Sequence, residues 1–297
     1  MYLPAKKLHY EFNHKISPVQ SIAPGETLRV ETYDSYQRHV KKAPLGGTDT
    51  PQGLPLSGPI MVKTCQPGDL LCVDIVDIQC QAVGVTSVYP GSGLCPDMTD
   101  IKATLLHHLD NDQIIMPAGF QAPVRPMVGC IGVAPQGKSI TSITPGPHGG
   151  NLDCPDLGIG TRIYLNAEVS GALLSLGDVH GRQGYGEFCG AAVEVGADVT
   201  LRTRVIPKQG GLASWPLLET ADEVAVLASA ASLEEAARQA VRSMVALVSR
   251  DRGASSLDTY VALTQVADVR ICQLVNPWYT VGCYLPRRYL SLGNLWE

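Results

Sequence analysis

Thirty glycines and 21 prolines punctuate this 297-residue chain, roughly one position in six against about 12% in an average protein. So many backbone breakers deny the chain extended helical runs and favour short strands joined by tight turns. A helical bundle or coiled coil is excluded, and a turn-rich β or α+β fold is expected. Hydrophobic residues make up 45% of the chain and charged residues 17%, enough for a sizeable core and too apolar for disorder. The length accommodates one large domain or two smaller ones.

The 23 basic and 28 acidic residues give a net charge of −5 without any run of like charge. That pattern offers no electrostatic footprint for nucleic acid or for an anionic membrane surface. No stretch approaches the ~18 consecutive apolar residues of a membrane span. The segment Met1–Tyr10 carries two lysines with no apolar run behind them, unlike a secretory leader. The nine cysteines are odd in number and form no C-x-x-C pair. Buried free thiols in a reducing, cytoplasmic setting are therefore expected, rather than disulfides or a zinc ribbon.

Period-two alternation predicts strands over Thr27–Tyr33 and over Leu70–Cys80, where Leu71, Val73 and Ile75 share one face and Asp74 takes the other. Further strands are expected at Arg162–Val169, Ala191–Val195 and Val199–Val205. Proline and glycine clusters predict loops at Ala43–Pro59, Tyr89–Pro96 and Gln136–Gly160. The pattern changes after Pro207. Ser232-Leu-Glu-Glu235 reads as a capping box, apolar residues from Leu233 to Val248 repeat at helical spacing, and Gly253 is placed to end that helix. A second helix is expected from Ser256 to Ala267, then a strand over Val269–Val275. Residues 1–206 thus read as a β-rich body, and 207–297 as a helix–helix–strand part that is separate or packed into the same domain.

Two glycine-rich loops hold the residues able to do chemistry, Pro147 to Asp153 and Gly177 to Glu187. Asp178 and His180 are two apart, so in an extended segment both side chains leave from one face and can grip one ion. Glu187 follows a Gly-Tyr-Gly hinge that can turn its carboxylate back onto that ion or its water. His148 and Asp153 would complete a mixed nitrogen and oxygen shell suited to zinc or another divalent first-row metal. The same loops also fit a plainer role as tight turns whose side chains cap the backbone, and both readings stand at this point. No apolar helix follows Gly181-x-x-Gly184-x-Gly186, which argues against a phosphate or dinucleotide loop. His107 and His108 are expected in a turn. Cys189 fits core packing or, less well, a nucleophile. Lys63 and Arg125 are candidate substrate contacts that nothing local selects.

The segments Gly-Pro-His-Gly-Gly-Asn-Leu-Asp (146–153) and Gly-Asp-Val-His-x-x-x-Gly-x-Gly-Glu-Phe-Cys-Gly (177–190) resemble the paired signatures of the acetamidase/formamidase family. Residues 67–77, 125–135 and 267–276 resemble strands of the same family, so the likeness runs along nearly the whole chain. It implies an α+β, mainly β fold: a jelly-roll-like β-sandwich body with a smaller C-terminal α/β part, assembled as a homo-oligomer. It also implies hydrolysis of a small primary amide to a carboxylate and ammonia. On that reading a divalent metal, expected to be zinc, sits on Asp178 and His180 with His148 and Asp153. Glu187 serves as general base, Asn151 binds the amide, and backbone amides around Gly149 and Gly150, or from Gly184 to Gly186, face the oxyanion. Arg182 and Tyr185 stand where many members have a small and an acidic residue, which leaves open whether acetamide or formamide is preferred. The alternatives are a larger or cyclic amide, a non-catalytic β-sandwich ligand-binding module, or, without a metal, Cys189 as nucleophile.

Overall fold

The computed structural model describes residues 1–36, 53–110, 112–209 and 212–295. Two large sheets face each other. The first runs in the order Tyr2–Leu3, Thr27–Thr32, Ala197–Ile206, Leu70–Cys80, Arg162–Asn166, Leu217–Glu219, Glu223–Ala230, Tyr279–Pro286 and Asp268–Gln273. The second runs from Gln121–Pro123 through Gln113–Ile115, Ala103–Asp110, Val83–Val88, Val193–Val195, Leu174–Arg182 and Met127–Gly132 to Gly149–Asn151. Leu56–Val62 also pairs with Leu174–Arg182 and carries Leu8–His9 and Gln20–Ile22. Most pairs are antiparallel, the arrangement whose strands alternate core-facing and outward residues.

That alternation builds the core. Leu28, Val30, Leu71, Val73, Val199 and Leu201 of the first sheet pack against Ile60, Val128, Leu176, Val179 and Val195 of the second, all fully buried. The opposite face of the first sheet is covered by a helix at one end. Helix α1 (Leu233–Arg252) lays Ala240, Met244, Leu247 and Val248 over Val224, Val226, Ala228, Cys283 and Leu285. At the other end, where no helix among the described residues covers the sheet, Asp74 receives Arg162 Nε at 2.7 Å, Arg204 Nη2 at 3.2 Å and Arg202 Nε at 3.5 Å. The fold is mainly β and α+β, as expected. Among the described residues no helix is long and apolar enough to cross a membrane.

The element boundaries follow local physics. Ser232 Oγ accepts the amide of Glu235 at 3.2 Å, and Gly253 closes α1 in the left-handed conformation (φ 61°). Helix α2 (Ser256–Leu263) stops short of the expected Ala267, because 264–267 coil into turns back onto Tyr260, Ala262 and Leu263. The expected loop over 43–59 is corrected at its end: Leu56–Val62 is a buried strand, and 43–52 lie outside the described residues. Here glycine serves close strand approach rather than a turn. A Cβ on Gly58 would lie 2.9 Å from Leu174 O, and one on Gly177 would strike Pro55 O. The expected loop over 136–160 likewise contains the short strands Ile140–Thr141 and Gly149–Asn151. His107 and His108 lie within the strand Ala103–Asp110, not in a turn. Replacing Ser232 with Ala should cost about 1 kcal/mol of unfolding free energy. Urea titration of the variant checks this, and Ser232→Asp should restore most of the loss.

Candidate active site

Val179 and Val195 pair across Leu174–Arg182 and Val193–Val195 and point into the sandwich. Their neighbours His180 and Glu194, paired in the same register, therefore emerge on the outward face of the second sheet. His180 Nε2 lies 3.2 Å from Glu194 Oε2 and 3.5 Å from Asp178 Oδ1. Asp153 arrives from the segment after Gly149–Asn151, its amide bonded to Gly129 O at 3.1 Å. Glu187 comes from the loop after Leu174–Arg182. That loop is clipped to the far edge of the other sheet, because Gly186 N donates to Cys272 O at 2.9 Å and Leu274 N donates to Gly186 O at 3.2 Å. The C-terminal part adds Asn276, whose Nδ2 donates to Asp153 Oδ2 at 2.6 Å.

Two sets, Asp153–His180–Glu187 and Asp178–His180–Glu194, each bring three ligand atoms within 4.8 Å of one another, and all five residues are buried. Asp153, Asp178 and Glu187 hold left-handed backbone conformations (φ 42°, 56° and 46°), an uncommon state for non-glycine residues and one that clusters at functional sites. Gly129 makes the crowding possible. A Cβ there would lie 2.5 Å from Asp153 Oδ1 and 2.8 Å from Asp178 Oδ2.

Four carboxylates around one imidazole, out of water, set the electrostatics. Burial pushes the Asp153 carboxyl up against the pull of His180, and burial with the Glu194 charge raises Asp178 to about 8. Burial and then the Asp153 charge push Glu187 well above the carboxylate range. Burial also opposes ionisation of Glu194, but the nearby charge of His180 and the hydrogen bond that Ser35 Oγ donates at 2.6 Å outweigh it and hold that carboxyl low. For His180, burial disfavours the charged ring, yet Glu194 and Asp178 overcome it and raise the imidazole well above its usual value.

Gln183 fixes which ring nitrogen faces the acids. Its Nε2 donates to Asp153 O at 2.8 Å and to Cys272 O at 3.3 Å, so Oε1 is the end that meets His180 Nδ1 at 2.8 Å. Nδ1 thus carries a proton and donates it. Nε2, with no hydrogen-bond partner among the described residues, is aimed among carboxylate oxygens. A lone pair there is repelled unless a proton or a cation lies between, so the donor set fits a cation. Among the described residues, Asp153 Oδ1 and Asn151 Oδ1 are likewise buried without hydrogen-bond partners. Asp153, Asp178, Glu187, Glu194, Asn151 and Asn276 line a cavity of about 150 Å³.

The expected residues fare differently. Asp153, Asp178, His180, Glu187 and Asn151 converge, whereas His148 is in neither ligand set. The Gly146–Gly149 turn instead lays its ring edge-on to Phe12, with centroids 4.9 Å apart. Gly186 offers no free donor, since its N–H is bound to Cys272 O. Cys189 donates to Ala191 O and lines a different cavity. Tyr185 turns outward to Asp156, which also pairs with Arg125 at 2.9 Å, and Lys63 is exposed. Glu194, Gln183, Asn276 and Gly129 were not anticipated. Their signals, such as a lone Glu between two strand valines, gain meaning only once the sheet order is known.

The sequence model of the acetamidase/formamidase family matches residues 3–141 and 136–288. An acetamidase from Bacillus halodurans is 32% identical, with a TM-score of 0.91 over 97% of this chain and 98% of that one. A predicted acetamidase/formamidase from Thermoanaerobacter tengcongensis is also 32% identical, with a TM-score of 0.93 over 97% and 96%. A candidate formamidase of Schizosaccharomyces pombe is 24% identical over 67% of this chain and 64% of its own length, so the chain spans less than two-thirds of that relative.

Gly129→Ala should displace the Asp153 and Asp178 carboxylates and weaken divalent-cation binding at least tenfold by calorimetry, with a lowered Tm. His148 supplies a pH test. Burial holds its imidazole down to about 4, whereas an unfolded chain protonates it near pH 6.5. Stability is therefore full above about pH 6.5 and falls as the pH drops toward 4, by about 3 kcal/mol in all. Urea unfolding between pH 7 and 4 should show a shallower decline in His148→Gln.

Proposed function

We propose that this chain, which belongs to the acetamidase/formamidase family, is an amidohydrolase that cleaves the C–N bond of a small primary amide to a carboxylate and ammonia. The observation that carries the reading is the convergence of Asp153, Asp178, His180, Glu187 and Glu194 beside a cavity of about 150 Å³. The cavity suits a molecule of a few heavy atoms. A non-catalytic binding module has no need of four buried carboxylates brought together at this electrostatic cost.

An amide resists hydrolysis because resonance protects its carbonyl and the nitrogen leaves only when protonated. Asp178, His180 and Glu194 would hold a divalent cation, zinc in this reading. Such an ion, when bound, supplies Lewis acidity that polarises a carbonyl oxygen and acidifies water toward a pKa of about 7. Holding it on that set leaves Glu187 and Asp153 for proton chemistry. The Glu187 carboxylate takes a proton from the attacking water and delivers it to the leaving nitrogen. Burial and the Asp153 charge hold its carboxyl above the ordinary carboxylate range, which favours the protonated form that delivers a proton to the departing nitrogen. Asn151 Oδ1 accepts a hydrogen bond from the substrate NH2. Asn276 steadies Asp153, so residues 207–297 work as one unit with the body.

Homo-oligomeric assembly and a cytoplasmic location belong to the same reading. Supporting the first are Met98, Ile101, Leu106, Ile115 and Phe120, exposed along the arm formed by residues 83–123. Supporting the second are nine unpaired cysteines. Glu187→Gln keeps shape and removes the base, so ammonia release from acetamide, formamide or propionamide should fall at least about a hundredfold with divalent-cation content unchanged. Near-normal turnover in that variant would sink the assignment of the base.

A further inference from the structure

Glu187 and Ala191 border two neighbouring cavities. One is the small carboxylate-lined space; the other is a cleft of about 290 Å³ that shares only Glu187 and Ala191 with it. The two differ in chemistry. The cleft opens between the strand arm (Thr86, Leu105, His107, Met116, Pro117) and the loop that carries Glu187, and its surface is mostly apolar: Leu105, Met116, Pro117, Phe188, Ala192 and Val193. Most of its side-chain polar groups are engaged, although His107 Nδ1 is buried with no hydrogen-bond partner among the described residues. His107 Nε2 and Thr86 Oγ1 are 2.9 Å apart, Thr86 donates to Ala192 O at 2.5 Å, and Arg182 Nη1 donates to Pro123 O at 2.8 Å. No titratable carboxylate other than Glu187 borders it among the described residues.

Phe188 follows the proposed base directly and leaves 67% of its surface in water, and Leu105 across the cleft leaves 41%. A large aromatic beside a reaction centre gains most when something apolar covers it. An apolar cleft beside a few convergent polar groups is the usual form of a small-molecule site. A cavity of ~150 Å³ lined by apolar side chains accepts benzene, so 290 Å³ holds a phenyl ring or a chain of several carbons with room to spare.

We infer that this cleft is an acyl subsite. The substrate class is then primary amides whose carbonyl carries an apolar group of about four to eight carbons, linear or aryl, with the carboxamide on the Glu187 side and the apolar group against Phe188 and Leu105. The inference rests on the amidohydrolase reading for its chemistry but not for its binding. The bond cleaved is the same C–N bond, water supplies the hydroxyl, and ammonia leaves with the proton that Glu187 delivers. The departures from the family pattern at Arg182 and Tyr185 lie at the margin of this region. Arg182 borders the cleft and Tyr185 turns away from it.

The test is a homologous series from acetamide to hexanamide, with benzamide and phenylacetamide, measured by ammonia release. In parallel, the same amides are titrated calorimetrically into the Glu187→Gln protein, which binds without turning over. Burying each added methylene should raise kcat/KM, and the association constant in the variant, about fourfold until the cleft is full. Leu105→Trp fills the cleft from an exposed strand position and should flatten that dependence, lowering the hexanamide-to-acetamide ratio at least tenfold. Phe188→Ala, at a site too exposed to matter for folding, should lower it as well. A flat dependence on chain length in both assays overturns the inference, as does a Leu105→Trp protein that changes only its sedimentation, since a second copy of the chain would then be what covers the cleft. Chain-length-dependent binding without ammonia from any amide would uphold the subsite and overturn the amidohydrolase reading instead.

Discussion

Four carboxylates crowded around one imidazole, all out of water, is the constraint on which the rest of this structure depends. Left uncompensated, such a cluster would repel itself apart. Here every component of the fold contributes to holding it. The cross-strand register sets His180 opposite Glu194, the missing Cβ of Gly129 makes room for Asp153 and Asp178, and the Gln183 amide turns a ring nitrogen toward the acids. Left-handed backbone at three of the acidic residues stores strain that the surrounding sheets must sustain. The fold itself thus sets the positions of these groups, and preorganised groups facing a developing charge are what catalysis of acyl transfer requires.

The two-sheet body explains how segments far apart in sequence meet. The core between the sheets fixes the inward residues of each strand, so their neighbours are fixed outward, and that is where the chemistry collects. The second tie runs from sheet to sheet: the Glu187 loop hydrogen-bonds to the edge strand Asp268–Gln273, and Asn276 follows immediately. The C-terminal helices are thus linked to the site through the sheet they cover, α1 packing on Glu223–Ala230 and Tyr279–Pro286, whose neighbour carries the clip.

What could be read from the sequence follows the range of the interactions involved. Helix α1 was legible to the residue because Ser232, Glu235 and Gly253 act within a turn of its ends. The strand Leu70–Cys80 was legible because alternation is local. The Asp178-x-His180 pair and the Glu187 hinge stood out for the same reason. Glu194 did not, since its role comes from pairing with His180 across two strands, and Asn276 reaches Asp153 only through the sheet-to-sheet clip. His148 shows the converse. Its neighbourhood in the chain suggested a ligand, but the Gly146–Gly149 turn swings the ring onto Phe12. Gly186 was expected to offer its amide to substrate and spends it on Cys272 instead. The Pro and Gly cluster before Val62 looked like loop because close strand approach and turning use the same residues.

The most direct measurement is elemental analysis of the purified protein paired with ammonia release from an amide substrate, before chelation, after chelation, and after stoichiometric divalent ions are returned. One divalent ion per chain is expected, zinc first among those tested, with activity lost with the ion and restored with it. A metal-free protein that hydrolyses amides at the original rate would contradict that expectation. The imidazole and its four acids would then have to be held by protons alone, and the search for the nucleophile would move to Cys189.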